Sequence, residues 1–355
     1  MTGPREGRPI RHLVVGGGGF IGRHVGLALA RQGDEVILTG REKPGFFAQM
    51  EEAGAISWRD LDIYNADWAA QTEGADIVHF YAWGSLPSTA NADPKADLAH
   101  NLGALLGMLD ALRHRGHGRV VFSSSGGTVY GPLRRVPVPE SHKLAPINAY
   151  GASKSAAEIY LNLYRVMYGL DCRVARIANP FGAGQDISRG LGAVTAFLNN
   201  ALNNRPIEIW GTGEVVRDFI HIADVTDCLV KLAMTDDLRG QHVFNLGSGE
   251  GTSLNGIVEA LEMRFGRKLE VSRKPGRAFD VPSNVLSINR VKRTLGWSPR
   301  LSFSAGLARM LADLAEHPDF SALHPAEGAR ASARLAAGKA EPPLVRAVRA
   351  KDGQR

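Results

Sequence analysis

Short apolar runs alternate with segments of helical periodicity along the first half of the chain. The runs are rich in β-branched residues and have the length of buried strands. Between them, apolar residues recur every three or four positions, as on one face of a helix. We therefore predict strands at residues 12–15, 35–38, 76–81, 119–123 and 171–177.

Two of the intervening segments carry long apolar stripes and predict long helices. The first stripe comprises Leu98, Leu102, Leu105, Leu106, Leu109 and Leu112, and the second comprises Ala152, Ala156, Ile159, Tyr160, Leu163 and Met167. Strands that alternate with helices in this way form parallel βαβ units with right-handed crossovers. The predicted fold class is α/β, with a Rossmann-type doubly wound parallel sheet.

The pattern changes after Pro180, where glycine and proline become frequent and the segments shorten. We predict a Rossmann domain at residues 11–180 and a smaller substrate-binding lobe at residues 181–317, partly interleaved with the main sheet. Residues 1–10 and 318–355 are predicted to be disordered tails, because they are polar or rich in alanine, proline and glycine.

The net charge of +6 lies at the two ends of the chain. Residues 321–355 hold seven basic and three acidic side chains and residues 1–11 hold three and one, so the body of the chain is neutral. A solvated basic tail explains this distribution, and we predict no nucleic-acid partner. No apolar stretch has the length of a membrane span, and the first residues lack the apolar core of a signal peptide. We therefore expect a cytoplasmic protein without a membrane partner.

A glycine-rich loop follows the first predicted strand and leads into a helical stretch at residues 23–31. Gly16, Gly19 and Gly22 form a GxxGxxG motif that also contains Phe20 and Ile21. Without Cβ atoms, backbone N–H groups approach a pyrophosphate at the N-terminus of a helix, where the helix dipole favours negative charge. In this strand–loop–helix setting, the motif predicts a dinucleotide cofactor, NAD or NADP.

The end of the second strand is where an acidic residue selects NAD and an arginine selects NADP. The sequence there is Leu38-Thr39-Gly40-Arg41, so Arg41 either pairs with a 2′-phosphate or faces solvent in a turn. The first alternative favours NADP, and the choice stays open. Farther along, Asp62 and Ile63 follow the probable third strand, and we predict that they contact the adenine.

Tyr150 and Lys154 are separated by one helical turn and therefore share one face of a predicted helix. A phenol with a pKa of about 10 is a poor base at neutral pH, and a nearby ammonium group favours the phenolate. The pair therefore predicts a tyrosine base assisted by a lysine, although an amphipathic helix surface also produces this spacing.

A series of motifs around this pair resembles the extended short-chain dehydrogenase/reductase family, and within it the NAD-dependent epimerase/dehydratase group. The resemblance covers roughly residues 11–315. It rests on the glycine loop, Tyr150 with Lys154, and the following segments: DIVHFYA at 76–82, Asn101, FSSSGGTVYG at 122–131, RIANPFG at 176–182, IWGTG at 209–213, RDFIH at 217–221, NLGSG at 245–249 and LGW at 295–297.

The resemblance implies a role for several of these residues. Tyr150 would be the general base, Lys154 would bind the nicotinamide ribose, and Tyr81, Ala82 and Asn101 would contact the cofactor. The family holds the substrate oxygen with a serine or threonine.

Counting back from the VYG motif places Gly126 at that position, so we predict that Ser125 replaces it, with Ser124 and Thr128 as alternatives. Gly126 and Gly127 also stand where dehydratases carry an Asp-Glu pair, which argues against that activity.

The resemblance further implies a nucleotide-diphosphate sugar as substrate. Asn179, Arg217 and Arg277 match positions that hold the diphosphate and the sugar, and Asp280 would orient Arg277. Two arginines suit a diphosphate because each guanidinium group can bind two phosphate oxygens.

The predicted reaction is epimerisation, most simply at C4, through a transient 4-keto sugar. A nucleotide-4-keto-sugar reductase that consumes NADPH shares these residues and is the alternative, and a non-catalytic NADP-binding regulator is a third. His79 and His221 have no metal-binding companions, so both are interpreted as structural and no metal is predicted. The resemblance implies a homodimer through the two long helices, although core packing explains their apolar stripes equally well.

Overall fold

The structure is a computed structural model, and it describes residues 8–45, 47–51, 55–186, 192–276 and 281–316. Within these residues the strands are β1 (Arg11–Val15), β2 (Glu35–Gly40), β3 (Ile56–Asp60), β4 (Ile77–Phe80), β5 (Arg119–Ser125), β6 (Asp171–Ile177), β7 (Asn179–Phe181), β8 (Ile207–Trp210), β9 (Val216–Arg217), β10 (Phe219–His221), β11 (Val243–Leu246), β12 (Thr252–Ser253), β13 (Val271–Lys274) and β14 (Ser283–Asn284).

The helices in the same residues are α1 (Phe20–Ala30), α2 (Phe47–Glu51), α3 (Trp68–Thr72), α4 (Pro94–Arg115), α5 (Ala149–Tyr168), α6 (Ala193–Leu202), α7 (Ile222–Met234), α8 (Leu254–Phe265), α9 (Asn289–Leu295) and α10 (Phe303–Glu316). No helix of the described ranges is long and apolar enough to cross a membrane.

Seven strands form one parallel sheet in the order β11-β6-β5-β4-β1-β2-β3. The chain runs outwards from β1 in one direction and from β4 in the other, so the strand order reverses between these two strands. One apolar cluster, which includes side chains of α1 and α7, covers one face of the sheet, and a second, which includes α4 and α5, covers the other. The predicted doubly wound Rossmann-type fold is confirmed. Ligands of such sheets bind at the carboxyl edge where the order reverses.

The smaller lobe has an apolar cluster of its own, built from α6, α8, α10 and the strands β8 and β10. Between these segments the chain returns to the main sheet, because β11 pairs with β6 at the sheet's edge. The lobe and the sheet are therefore connected more than once.

The two predicted tails fall mostly outside the described ranges, which exclude residues 1–7 and 317–355. We expected the N-terminal tail to extend to residue 10, but the structure joins residues 8–10 to the sheet. Arg8 forms an ion pair with Asp76 at 2.6 Å, and the N–H of Ile10 donates to Asp34. These contacts bridge the starts of neighbouring strands, which no local pattern in the tail indicates.

N-terminal capping residues determine where the two long helices begin. Asp93 caps α4 by accepting from the N–H of Ala96, and Pro94 occupies the first turn, where it loses no helical hydrogen bond. Asn148 caps α5 by accepting from the N–H of Gly151 at 2.7 Å. Because Asn148 is the cap, α5 begins at Ala149, and Tyr150 and Lys154 lie in its first turns, beside the carboxyl edge of the sheet.

Candidate active site

A cavity of about 1700 Å³ lies at the carboxyl edge of the sheet, between the sheet and the smaller lobe. Pockets for one small ligand measure about 300–1,000 Å³, so this one has room for a cofactor and a substrate together. Most of the residues that we predicted to form the site line it: Gly16, Gly19, Phe20, Ile21, Gly22, Arg41, Asp62, Ile63, Tyr81, Ala82, Ser125, Tyr150, Lys154, Asn179 and Arg217.

Two predicted site residues are not placed in the cavity wall. Arg277, with its expected partner Asp280, lies outside the described residues. Asn101 is 2% exposed and lies behind the wall, where its Oδ1 accepts from the N–H of Gly84 at 2.6 Å. It contacts the loop that forms the wall, and the expected contact of Asn101 with the cofactor stays a prediction.

The glycine loop fits a pyrophosphate. Gly16 has a φ of +87°, and a Cβ atom there would lie 2.7 Å from the backbone nitrogen of Ala82, so only glycine is accommodated. Gly22 is packed against the oxygen of Gly16 with no space for a side chain. Helix α1 begins after Gly19, and no side chain among the described residues caps its first turn. The N–H groups of this turn are therefore available to an anion at the positive end of the helix dipole.

The far end of the cavity would receive the adenosine part of a dinucleotide. Arg41 is exposed there, beside Trp58, whose indole N–H donates to Asp60 at 2.7 Å. Asp62 lines the same end, and its two oxygens accept from the N–H of Tyr64 and from Asn65. Each of these oxygens can accept a further hydrogen bond, so the carboxylate of Asp62 can still bind an amino group.

Tyr150 and Lys154 lie together in the cavity wall, with the Nζ of Lys154 5.7 Å from the centre of the Tyr150 ring. This ammonium group donates to the carbonyl of Ser123 at 2.7 Å. Burial lowers the pKa of Lys154 well below its ordinary value, and the charges of Glu158 and Asp97 oppose this shift.

The expected lowering of the Tyr150 pKa by Lys154 is not what the structure shows. Burial, and secondarily the charge of Asp97, raise the pKa of Tyr150 above its ordinary value. Spacing along a helix identifies the lysine, but it gives no measure of how completely the phenol is removed from water.

The serines at the end of β5 are distinguished by their hydrogen-bond partners. The hydroxyl of Ser124 is buried and donates to Glu158 at 2.5 Å. Ser125 is partly exposed in the cavity, and a Cβ built on Gly127 would lie 3.9 Å from its Oγ and 4.0 Å from Oδ1 of Asn179. Ser125 and the predicted substrate residue Asn179 therefore both border the space beside Gly127, whereas the hydroxyl of Ser124 is engaged by Glu158. Thr128, the other alternative, also lines the cavity.

Asn179 and Arg217 are held by the loops of the smaller lobe. The amide of Asn179 donates to the carbonyl of Asp218, and the guanidinium of Arg217 donates to the carbonyl of Val281 at 2.7 Å. Asp218 is buried and accepts from the hydroxyl of Ser248 at 2.6 Å, from the N–H of the adjacent Gly249 and from the N–H of Leu286 on another segment. The carboxylate of Asp218 thus fixes the strand that carries Arg217, and its backbone carbonyl joins that strand to Asn179.

Two further residues at this site were not predicted from the sequence. Trp83 lines the cavity, and the Nζ of Lys154 lies 3.9 Å from the centre of its ring. Asp97 is 6% exposed and one helical turn before Asn101, whose amide donates to it at 3.1 Å. The i, i+4 spacing of Asp97 and Asn101 was the only signal in the sequence, since no motif includes either Trp83 or Asp97.

Both histidines that we interpreted as structural are buried outside the cavity wall. His79 hydrogen-bonds His12 at 3.0 Å and the hydroxyl of Tyr81 at 2.9 Å, and His221 caps α7 by accepting from the N–H of Ala223. No three His, Cys, Asp or Glu side chains of the described ranges are grouped as a metal site. The hydrogen bonds of both rings are with residues of the fold.

A doubly wound sheet, a glycine loop at its first βα turn and a Tyr–Lys pair on a helix beside it define the short-chain dehydrogenase/reductase class. Residues 12–247 match the model of the NAD dependent epimerase/dehydratase family. The chain belongs to this family, which confirms the resemblance seen in the sequence.

Its relatives include sugar epimerases. The UDP-glucose 4-epimerase of Mycolicibacterium smegmatis is 32% identical over 308 residues, which cover 84% of this chain and 97% of that protein. The crystal structure of UDP-glucose 4-epimerase with UDP-glucose from Thermotoga maritima has a TM-score of 0.79 and 30% identity, covering 85% of this chain and 97% of that one. The UDP-glucose 4-epimerase of Thermus thermophilus in complex with NAD has a TM-score of 0.76 and 28% identity, with coverage of 85% and 97%.

Proposed function

We propose that this protein is an NAD(P)-dependent nucleotide-sugar 4-epimerase whose substrate is a UDP-sugar. The observation that carries the proposal is the meeting of Ser125, Tyr150 and Lys154 in one cavity with the glycine loop. Relatives whose names give this activity match the chain over more than four fifths of its length. The reductase alternative uses the same residues, but these relatives favour the epimerase.

The residues of the cavity would have different roles in such a reaction. When bound, the nicotinamide ring supplies a positive charge and a carbon that accepts and returns hydride. Tyr150 exchanges the proton of the sugar hydroxyl: its phenolate takes the proton as the sugar is oxidised, and the phenol gives it back in the return step. Ser125 hydrogen-bonds the same sugar oxygen, while Lys154, fixed by the carbonyl of Ser123, supplies positive charge beside the phenol.

The smaller lobe would hold the rest of the substrate. Arg217 binds the diphosphate, and Asn179, near Ser125, binds the sugar. We extend the first role to Arg277, on the basis of the motif that it matches. Because the lobe and the sheet each form part of the wall, the substrate is held in a fixed orientation towards the cofactor, which is the main source of rate enhancement in such a site.

Replacing Tyr150 by phenylalanine tests the proposal. We expect Tyr150→Phe to lower kcat by at least about 100-fold, since it removes the proton-transfer group, and to leave dinucleotide binding unchanged. The assay is NMR of UDP-, GDP- and dTDP-sugars incubated with the purified protein, without added cofactor and then with NAD or NADP.

The control is Tyr160→Phe, a partly exposed tyrosine on the same helix and outside the cavity, which should retain full activity. Near-normal turnover by Tyr150→Phe contradicts the assignment. Stoichiometric consumption of NADPH by a keto sugar, with no interconversion of epimers, would favour the reductase.

The choice between NAD and NADP depends on Arg41. The Thermus relative binds NAD, whereas here the residue before Arg41 is Gly40 rather than an acid, and the exposed guanidinium of Arg41 lies at the end of the cavity. If Arg41 pairs with a 2′-phosphate, NADP binds more tightly than NAD, and Arg41→Ala removes the difference. Dissociation constants for the two dinucleotides, measured by calorimetry, decide the question.

We also propose a cytoplasmic homodimer formed by α4 and α5. Most of the leucine stripe of α4 belongs to the core, since Leu105, Leu109 and Leu112 are fully buried and Leu102 and Leu106 pack against the same cluster. The outer face of α5 differs: Ile159, Val166 and Met167 are each 64% exposed. A contiguous apolar face of this kind marks a protein interface. Light scattering should give the mass of a dimer, and Val166→Glu should give that of a monomer; a monomeric wild-type protein contradicts this proposal.

A further inference from the structure

The ammonium group of Lys154 is surrounded by aromatic rings. Its Nζ lies 3.9 Å from the ring centre of Trp83, 4.6 Å from that of Phe122 and 5.7 Å from that of Tyr150. Trp83 and Phe122 contact each other edge to face, with their centres 5.7 Å apart. The two rings therefore form one wall against which the cation lies.

A buried ammonium group needs compensation for the water that it has lost. Lys154 is only 2% exposed, and its single hydrogen bond to the described residues goes to the carbonyl of Ser123. Of the nearby carboxylates, Glu158 is engaged by Arg176 in a two-fold contact at 2.6 and 3.0 Å. The negative faces of aromatic rings attract a cation most strongly when it is desolvated, as it is here.

The position of Trp83 is itself held by a set of hydrogen bonds. The next residue, Gly84, donates its N–H to Asn101 at 2.6 Å, and Ser85 donates its hydroxyl to Asp97. Asn101 donates to the same carboxylate of Asp97 at 3.1 Å, so the two residues of α4 form one clamp on the loop. A loop held at two successive residues fixes the direction of the side chain just before them.

We propose that Trp83 is a positioning residue for Lys154: its indole ring, together with Phe122, stabilises the ammonium group and keeps it directed at the carbonyl of Ser123 and into the cavity. The role rests on the proposed function, in which Lys154 must remain charged beside Tyr150 and hold the cofactor. In this assignment Trp83 acts only through Lys154. Its contribution can therefore be measured without changing the groups that react.

The expected signature is a change in pH dependence. In Trp83→Leu the side chain remains apolar but the ring is lost, so the charged form of Lys154 is less stable and loses its proton at lower pH. The alkaline limb of the kcat profile should move down by about one unit, which is about a 10-fold loss of kcat on that limb. This variant leaves the other charged groups near Lys154 unchanged: Asp97, Glu158 and Arg176, which pairs with Glu158.

Trp83→Phe separates the ring from the indole N–H. This variant keeps an aromatic face for the cation and lacks the N–H, so its limbs should lie within a few tenths of a unit of the wild-type limbs. Equal shifts in the phenylalanine and leucine variants would show that the ring is not what matters and would overturn the proposal. The control is Trp68→Leu, which removes a tryptophan from the apolar cluster on the same side of the sheet and should leave both limbs in place.

Cofactor affinity supplies a readout that does not require epimerisation. Calorimetric titration with NAD or NADP, whichever the wild type binds more tightly, between about pH 6 and pH 10 should show the alkaline loss of affinity at lower pH in Trp83→Leu than in the wild type. If the wild type epimerises no sugar, the proposed function fails, while this titration still decides the role of Trp83. If Trp83→Leu does not fold, Phe122→Leu removes the second ring and should move the same limb in the same direction. Superimposable titrations of variant and wild type overturn the inference.

Discussion

Removing the charge of Glu158 should destabilise the protein strongly. Glu158 and Arg176 are each 5% exposed, and the guanidinium donates to the carboxylate at 2.6 and 3.0 Å. Glu158→Gln keeps the size of the side chain but leaves the positive charge of Arg176 buried without a counter-charge. Breaking a buried pair from one side costs about 3–5 kcal/mol. That is a large part of the roughly 5–15 kcal/mol that stabilises a typical folded protein.

The substitution should also affect the candidate active site. Glu158 accepts a hydrogen bond from the hydroxyl of Ser124 at 2.5 Å, and its charge raises the pKa of Lys154, opposing the larger effect of burial. We therefore expect the alkaline limb of activity to move to lower pH in Glu158→Gln. Urea unfolding followed by circular dichroism gives the free energy of unfolding, and the activity profile is measured on the fraction that remains folded.

The double variant Glu158→Gln with Arg176→Met is the matched control. With both charges removed, no uncompensated ion remains in the core, so the double variant should be more stable than Glu158→Gln alone. A loss below about 1 kcal/mol in Glu158→Gln would refute the reasoning. So would a double variant that costs the sum of the two single changes, because the two charges would then be independent.

Two further predictions concern neighbouring glycines and the buried histidines. Gly126→Ala should cost about 1–3 kcal/mol in urea unfolding, because its Cβ would lie 2.5 Å from Leu286, whereas the space at Gly127 allows Gly127→Ala to keep wild-type stability; equal losses would contradict the described packing. Burial lowers the pKa of His24 and of His221 to about 4, so the unfolded chain binds protons first as the pH falls below about 6.5. Each of these two histidines should therefore lower the free energy of unfolding by about 2 kcal/mol between pH 8 and pH 5. An equal free energy of unfolding at pH 8 and pH 5 would exclude this prediction.

The parts of this protein that could be predicted from the sequence are those in which the chemistry is local. The glycine motif lies within seven residues and depends on the missing side chains of its glycines. A single helical turn brings Tyr150 and Lys154 together. The strands 119–125 and 171–177 contain short apolar runs because both faces of the sheet are covered, and such runs can be recognised in the sequence. Fold, family and cofactor loop therefore followed from patterns of fewer than about 30 residues.

Tertiary structure decided the questions that depend on distant partners. The three serines of β5 are equivalent in sequence, and only Glu158, 34 residues away, distinguishes Ser124 from Ser125. The expected lowering of the Tyr150 pKa was wrong because burial is a property of the assembled cavity. The hydrogen bond from the N–H of Gly84 to Asn101 likewise depends on the packing of α4 beside that loop, and no motif indicates it.

Sequence by itself determined that this chain forms a doubly wound sheet with a dinucleotide loop and a Tyr–Lys pair, because hydrophobic period, missing side chains and helical spacing act over short range. Only the folded structure could place Trp83 over Lys154, since the two are 71 positions apart along the chain. Contacts of that separation arise when β4, β5 and α5 pack at one edge of the sheet. The burial that raises the pKa of Tyr150 and lowers that of Lys154 is determined there.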